Sequence, residues 1–350
     1  MPKILAITSQ NPNNSYPQAA VTEMLIKTLD KINPDVIRRI NRASGVETRH
    51  LCLPLEAYPN LSGMKNRMHV WQEVAYSLGS IAINRLLKQS QVPAKDIGHF
   101  FFTSITGMSA PSIDALLVDD LEMSASIKRT PIFGLGCLGG AALISRACDY
   151  VKAYPDQVAI VLAVELCTLT WQKYDHSMAN IIATSLFGDG CAAVLIAGDR
   201  YQAQLKPKAQ LIDSAQAFFP GTRDLMGWSI EDSGFKIILS PGVPDISETL
   251  LPPIIDSFLA KHGLSKNDIK HWIAHPGGPK VISALERGLG LHAHALDITK
   301  ASLKEQGNLS SVSVLNVLER TLATNPKPGD HGLLFAMGPG FCAEMVLITC

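Results

Sequence analysis

Cys137 is the residue whose neighbours best equip it to act as a nucleophile. It follows Pro131, Ile132, Phe133, Gly134, Leu135 and Gly136, and it precedes Gly139, Gly140 and an alanine-rich apolar segment. A β-branched and aromatic run, then glycines, then an apolar helical segment read as strand, tight turn and helix, with the thiol at the turn. Glycine there permits positive φ and close approach of another backbone or a ligand. A thiol at a helix N-terminus meets the positive end of the helix dipole, which favours the thiolate. The competing reading is a small buried hydrophobe, the usual state of a free cysteine. A partner histidine has to decide between them.

Of the ten histidines, His275 ends an apolar strand-like run and enters Pro276-Gly277-Gly278-Pro279. Strand ends beside permissive backbone are where α/β proteins place function. A histidine merely satisfied in a turn is the alternative. His271 and His275 are four apart, but Pro276 and the strand-like run oppose a helical metal pair. His292 and His294 flank one residue and lack a carboxylate or cysteine ligand at a useful spacing. Asn308, in Gln306-Gly307-Asn308-Leu309-Ser310-Ser311, reads either as a turn residue or as a neutral donor for a developing oxyanion.

Composition bounds the setting. The 350 residues are 47% hydrophobic and 18% charged, the balance of a globular enzyme with a large core. Lys plus Arg and Asp plus Glu both number 31, so no global charge favours nucleic acid or an anionic membrane. The seven cysteines, at 52, 137, 148, 167, 191, 342 and 350, contain no CxxC pair, against a disulfide framework or structural zinc. Met1–Gln10 lacks the apolar core of a signal peptide. The most apolar run, residues 158–171, is interrupted by Glu165 and too short for a bilayer. A reduced, soluble, cytoplasmic protein is expected.

The elements that must position these residues alternate in type. Strands are expected at 4–8, 99–103, 157–164 and 235–239, with another leading into His275 and a final strand-turn-strand around Gly338-Pro339-Gly340. Helices are expected at 16–29, 68–87, 112–121 and after Cys137, His275 and Asn308, with 243–262 interrupted at Pro252 and Pro253. Residues 34–49 are basic, carrying Arg38, Arg39, Arg42 and Arg49. Residues 186–198 read as turn then strand, 200–212 as a bridge between halves, and 220–229 as a loop. Alternation of this kind argues for α/β layers, and the two strand-turn-helix units at Cys137 and His275 hint at a duplicated architecture.

Five motifs occur in order: Gly134-Leu135-Gly136-Cys137, Leu186-Phe187-Gly188-Asp189-Gly190, His275-Pro276-Gly277-Gly278-Pro279, Gly307-Asn308-Leu309-Ser310-Ser311 and Gly338-Pro339-Gly340. Together they resemble the type III polyketide synthases of the chalcone and stilbene synthase family, over nearly the whole chain. The resemblance implies a thiolase-like fold of two similar αβαβα halves, here 1–205 and 206–350, and a homodimer. It implies that Cys137 takes an acyl group from an acyl-CoA starter, with His275 pairing the thiolate. His275 and Asn308 would stabilise the enolate left when malonyl-CoA loses CO2. Repeated condensation and cyclisation follow, with CoA thioesters as substrates and no metal, flavin or nicotinamide cofactor.

By the same resemblance Phe187 is a gatekeeper between CoA tunnel and cavity. Arg38, Arg39, Arg42 and Lys280 fall where CoA phosphates are held. Cys167, Thr170 and Ile105 fall on the cavity wall. Ile237 stands where plant members carry a second gatekeeper phenylalanine, Trp228 where they carry a small residue, and Ala110 near a methionine they send into the partner subunit. These departures, and the segments 103–117 and 218–228, point to the bacterial branch and to alkylpyrone, alkylresorcinol or small phenolic products. A narrow tunnel past Cys167 with Trp228 filling the main cavity would suit a medium- to long-chain aliphatic starter. Two rivals stay open: a β-ketoacyl-carrier-protein synthase III, sharing the Cys-His-Asn chemistry, and a non-catalytic acyl-CoA-binding protein on the same fold.

Overall fold

Side chains of the strand Val158–Leu166 alternate between two cores. Val158, Ile160, Leu162 and Val164 enter one, while Ala159, Val161 and Ala163 enter the other. Successive Cβ atoms of a strand point to opposite faces, so a strand buried along its whole length lies between two packed layers. In the computed structural model, which describes residues 1–350, this strand is one of nine in a mixed sheet.

The first half contributes β1 (Lys3–Gln10), β2 (Asn14–Pro17), β3 (Thr48–Leu51), β4 (Ile97–Thr103), β5 (Lys128–Ile132), β6 (Val158–Leu166) and β7 (Asp189–Ala197). The second contributes β8 (Ala209–Phe218), β9 (Met226–Glu231), β10 (Gly234–Leu239), β11 (Ile269–Ala274), β12 (His331–Gly338) and β13 (Cys342–Thr349). The large sheet runs β11-β12-β13-β8-β1-β7-β6-β4-β5, while β2 with β3 and β9 with β10 form separate two-stranded sheets. The halves join where β1 pairs with β8, Lys3 opposite Gln210 and Ile4 opposite Ala209.

The helices in the first half are α1 (Gln18–Thr28), α2 (Pro34–Ala43), α3 (Gly63–Ser90), α4 (Ile113–Asp120), α5 (Gly139–Ala153) and α6 (Met178–Leu186). The second half adds α7 (Val243–Thr249), α8 (Leu251–Ala260), α9 (Pro279–Leu289), α10 (Asp297–Gln306) and α11 (Ser311–Ala323). One core packs α1, α3 and α4 on the outer face of β4, β6 and β7, through Leu25, Trp71, Ile83 and Leu117. A central core wraps α5 and α11 and draws apolar residues from both ends of the sheet, Val161 and Val194 as well as Ile273, Leu334 and Val346. A third packs α8 and α9 on the far side of β11, β12 and β13, through Phe258, Ile282, Leu333 and Phe335. Because the two ends of the one continuous sheet both pack on the α5–α11 layer, the order through the molecule is helix, half-sheet, helix, half-sheet, helix, the layered thiolase-like α/β fold.

Most expected elements are present, with some differences. Residues 226–229, expected as loop, belong to β9 because they pair with 236–239 of β10. Tyr16 lies in β2, and α1 starts only after Pro17, whose extended backbone cannot continue a helix backwards. The expected bridge ends at Ala209, where β8 begins. Helices α6 and α10, not anticipated, fill the stretches before Phe187 and before Asn308. The break between α7 and α8 falls at Leu250, with Pro252 and Pro253 in the first turn of α8, where a missing N–H costs nothing. All seven cysteines are free, and no helix is long and apolar enough to cross a membrane.

Candidate active site

Cys137 sits in a single 3-10 turn, Gly136–Leu138, between the end of β5 and the start of α5. Gly134 and Gly136 have φ of 97° and 54°, values that favour glycine. Gly136 is also confined from outside, since a Cβ there would lie 2.4 Å from Pro339 Cδ. A Cβ on Gly338 would likewise lie 2.4 Å from the Leu135 carbonyl oxygen. The Gly338-Pro339-Gly340 turn between β12 and β13 therefore backs the nucleophile's turn directly.

Asn308 lies between α10 and α11 and is held by its backbone. Its N–H donates to Leu186 O at 2.9 Å, and its carbonyl accepts from Gly188 N at 3.0 Å. Its side-chain Oδ1 accepts from Ser310 N at 2.8 Å, which leaves the amide Nδ2 to donate elsewhere. Ser310 in turn places Oγ 3.6 Å from Cys137 Sγ. His275 follows β11, and its N–H donates to Phe335 O at 3.0 Å. Its ring is buried and Nδ1 has no partner. Gly278, three residues on, packs against Leu186, where a Cβ would sit 3.5 Å from Cδ2. The turns bearing Cys137, His275, Asn308 and Phe187 thus form one continuous set of contacts.

Burial dominates the electrostatics. The Cys137 thiol is pushed up to about 12 by burial, aided by the nearby Glu165 charge and opposed by Ser310. Burial pushes the His275 imidazole down to about 3. Removal from water penalises each charge, so burial opposes the expected thiolate–imidazolium pair and favours a neutral thiol and a neutral imidazole. Glu165, completely buried at the end of β6, is pushed up to about 7 by burial. It accepts from Ile105 N at 3.1 Å, Thr106 Oγ1 at 2.9 Å and Ser311 Oγ at 2.5 Å.

Phe187, Cys167, Thr170 and Ile237 share the lining of one cavity of about 30 Å³. Trp228 is not among its walls. It pairs with Ile237 across the β9–β10 hairpin, and its ring lies 6.1 Å from that of Phe235, tilted by 42°. Ile105 is buried, with its backbone spent on Glu165. Arg49, Tyr58, Thr168 and Asn180 also line this mostly apolar cavity. Arg49, only 2% exposed, donates through Nη1 to the carbonyls of Thr184 and Phe187, the latter at 2.9 Å, and so ties down the Phe187 turn.

The four basic candidates separate. Arg38 and Arg42 line a surface groove of about 480 Å³, together with Glu23 and Glu47. Arg39 is exposed and outside its lining. Lys280 opens α9 beside Pro279, which lies against Gly45 at the end of that groove, 3.3 Å from where a Cβ would stand. Sequence reasoning passed over Glu165, Arg49 and Ser310 as participants. A charge inside an otherwise apolar strand was the available signal for Glu165; Arg49 gave none, being one of several arginines in a basic stretch.

Residues 1–200 match the N-terminal domain of the chalcone and stilbene synthases, and residues 210–350 match the C-terminal domain. A 1,3,6,8-tetrahydroxynaphthalene synthase of Streptomyces peucetius subsp. caesius is 43% identical over 99% of this chain and 92% of its own. A putative chalcone synthase of Bacillus subtilis is 35% identical over 99% of this chain and 98% of its own. The crystal structure of 1,3,6,8-tetrahydroxynaphthalene synthase from Streptomyces coelicolor A3(2), a bacterial type III polyketide synthase, superposes with a TM-score of 0.93, at 29% identity and 99% coverage of both chains. Motifs, fold and full-length similarity agree, and the chain belongs to the chalcone and stilbene synthase family, as a type III polyketide synthase.

Proposed function

We propose that this enzyme loads its starter on Cys137, extends it with malonyl-CoA, and closes the chain to a small polyhydroxylated aromatic. The observation that carries the mechanism is the placement of a half-buried thiol beside Ser310, with Asn308 held by Ser310 N so that its Nδ2 is free to donate.

Sγ of Cys137 attacks the thioester carbon of the starter, His275 takes the thiol proton, and CoA leaves as its thiol once that proton is returned. Starting from a neutral pair, His275 acts as a general base during attack rather than as a standing counter-ion. Malonyl-CoA then loses CO2, and the enolate oxygen left behind accepts hydrogen bonds from His275 and from Asn308 Nδ2. The enolate carbon attacks the acyl-Cys137 carbonyl, forming a carbon–carbon bond and freeing the thiolate. The extended chain, now on CoA, returns to Cys137 with loss of CoA, so each cycle consumes one malonyl-CoA and releases one CO2 and one CoA. CoA thioesters supply everything these steps need.

Of the three product classes expected, the small phenolic is best supported. A tetrahydroxynaphthalene, the product named for the 43% identical relative, has all ten carbons in its rings, equal to five two-carbon units with no alkyl tail. The cavity past Cys167 is mainly apolar but carries Arg49, Tyr58, Thr168 and Asn180 in its lining, which supports oxygen-bearing chains over purely methylene ones. Arg38, Arg42 and Lys280 are assigned to the CoA phosphates, with Arg39 outside the groove. The family resemblance supports a homodimer in the cytoplasm, checked by light scattering of the purified protein.

The test is a product profile with malonyl-CoA, alone or with acetyl-CoA and a C6 to C18 acyl-CoA series. Aromatic products without an alkyl tail are expected, dependent on several malonyl-CoA per product. Alkylpyrones as the dominant products would overturn the aromatic assignment. A single condensation onto carrier-protein-bound malonate would restore the synthase III reading.

A further inference from the structure

Two residues that line the cavity beside Phe187 carry hydrogen-bond donors that nothing in the protein satisfies. Arg49 Nε, Arg49 Nη2 and Trp171 Nε1 are all buried without a partner, and both residues line this one cavity. The other polar walls are engaged. Tyr58 OH lies 2.5 Å from Thr168 Oγ1, which donates to Asp189 Oδ2 at 2.5 Å, so the tyrosine is the donor to the threonine. Thr170 Oγ1 donates to Cys167 O at 2.7 Å, and Thr184 Oγ1 to Asn180 O at 2.5 Å. Asn180 uses Nδ2 on Gln172 O and Asp175 O.

Unmatched donors on a buried cation are costly, and buried polar groups in folded proteins are otherwise almost always paired. What the cavity lacks is an acceptor. The group that completes it must bring oxygen lone pairs, need not donate, and be small enough for about 30 Å³. A ketone oxygen meets all three conditions; an alkyl terminus fails the first, having no lone pairs to offer. Arg49 also holds the Phe187 carbonyl, so a ligand on its remaining nitrogens would lie immediately behind the gatekeeper.

We infer that Arg49, with Trp171, forms a subsite that binds a keto oxygen of the growing poly-β-keto chain and thereby selects oxygenated over aliphatic intermediates. The inference rests on the condensing mechanism above and adds the chemical class that the cavity recognises.

Two matched pairs of probes test it: 5-oxohexanoyl-CoA against 5-methylhexanoyl-CoA, and 7-oxooctanoyl-CoA against 7-methyloctanoyl-CoA. Each pair is nearly isosteric and differs in one carbonyl. Acylation of Cys137 is followed by intact-protein mass. In the wild-type enzyme the oxo member of at least one pair loads with kcat/KM roughly tenfold or more above its methyl partner, the discrimination expected of a charged hydrogen bond. In Arg49→Met that ratio falls towards one, and in Arg49→Lys it is intermediate. A wild-type ratio near one for both pairs would mean a trapped water or a purely structural arginine, and would overturn the subsite; this comparison needs no variant to fold. An Arg49→Met enzyme that loses both members of a pair equally overturns it as well, because loosening of the Phe187 turn affects all starters alike. Absence of any adduct on Cys137 sinks the condensing mechanism itself, whereas adducts without discrimination sink only the subsite.

Discussion

Gly140 and Ser311 meet backbone to backbone: a Cβ on Gly140 would stand 2.2 Å from the Ser311 carbonyl oxygen and 3.0 Å from Leu315 Cγ. This contact sets the start of α5, just after Cys137, against the start of α11, just after Asn308. Gly140→Ala must push the helices apart, at a cost of about 1–3 kcal/mol typical of overpacking. Acylation of Cys137 should fall with it. Gly227→Ala, with nothing within 4 Å of the new methyl, should change stability by less than about 0.5 kcal/mol. Denaturant midpoints of the two variants make the comparison.

Cys137→Ala should abolish starter loading and all polyketide formation while leaving the unfolding midpoint close to that of the parent, because it removes the only atom on which the chain is carried. Intact mass after incubation with acyl-CoA, together with product analysis, checks it. Substantial condensation by the variant would disprove the assignment.

Asn308 separates loading from decarboxylation. Asn308→Asp keeps an acceptor for Ser310 N but cannot donate from that position. Its release of CO2 from malonyl-CoA should drop by roughly 10²- to 10³-fold, the usual worth of one oxyanion donor. Loading of the starter on Cys137 should persist. If loading collapses and CO2 release does not, the donor role belongs to another residue.

Glu165 should make stability depend on pH. Burial raises its folded-state value from 4.5 to about 7, so its stabilising contribution is complete below about 4.5 and is lost as pH rises through 7. A shift of this size corresponds to about 3 kcal/mol. Glu165→Gln cannot ionise, so its stability relative to the parent should rise between pH 5 and pH 8 by up to that amount. The fixed cost of placing an amide N–H₂ among the donors of Ile105, Thr106 and Ser311 cancels from this difference. Urea titrations of both proteins at the two pH values measure it, and a constant gap would disprove it.

Local chemistry made the reactive turns legible. Glycines before Cys137, the proline-bounded glycines after His275 and the Gly307-Asn308 pair all mark places where the backbone must turn sharply, and the structure turns there. The sheet strands were visible from apolar runs, because β6 and β7 are buried on both faces. Helix α10 was hidden because DITKASLKEQ buries only Thr299, Ser302 and Leu303, a polar stripe that hydrophobic periodicity does not detect. β9 was hidden because its partner is the next strand, and cross-strand pairing leaves little trace in a single segment. Arg49 is the plainest case. Its exposed neighbours Arg38, Arg39 and Arg42 made it look solvated, and only the carbonyls of Thr184 and Phe187, distant in sequence, explain its burial. The same holds for the resting charges: a helix N-terminus promised a thiolate, and three-dimensional burial outweighs it.

The position of β1 has a consequence in time. It is made long before its sheet neighbours, because it pairs with Cys191–Ala197 on one side and Ala209–Gln210 on the other. At synthesis rates of about 5–20 residues per second, its apolar Ile4, Leu5, Ala6 and Ile7 wait roughly 10–40 s for both neighbours to exist. Contacts this remote in sequence also close slowly once available. Nascent chains therefore carry an unpaired apolar segment for most of their synthesis, and the yield of native enzyme should respond to growth temperature and chaperone capacity more than the stability of the finished protein would suggest.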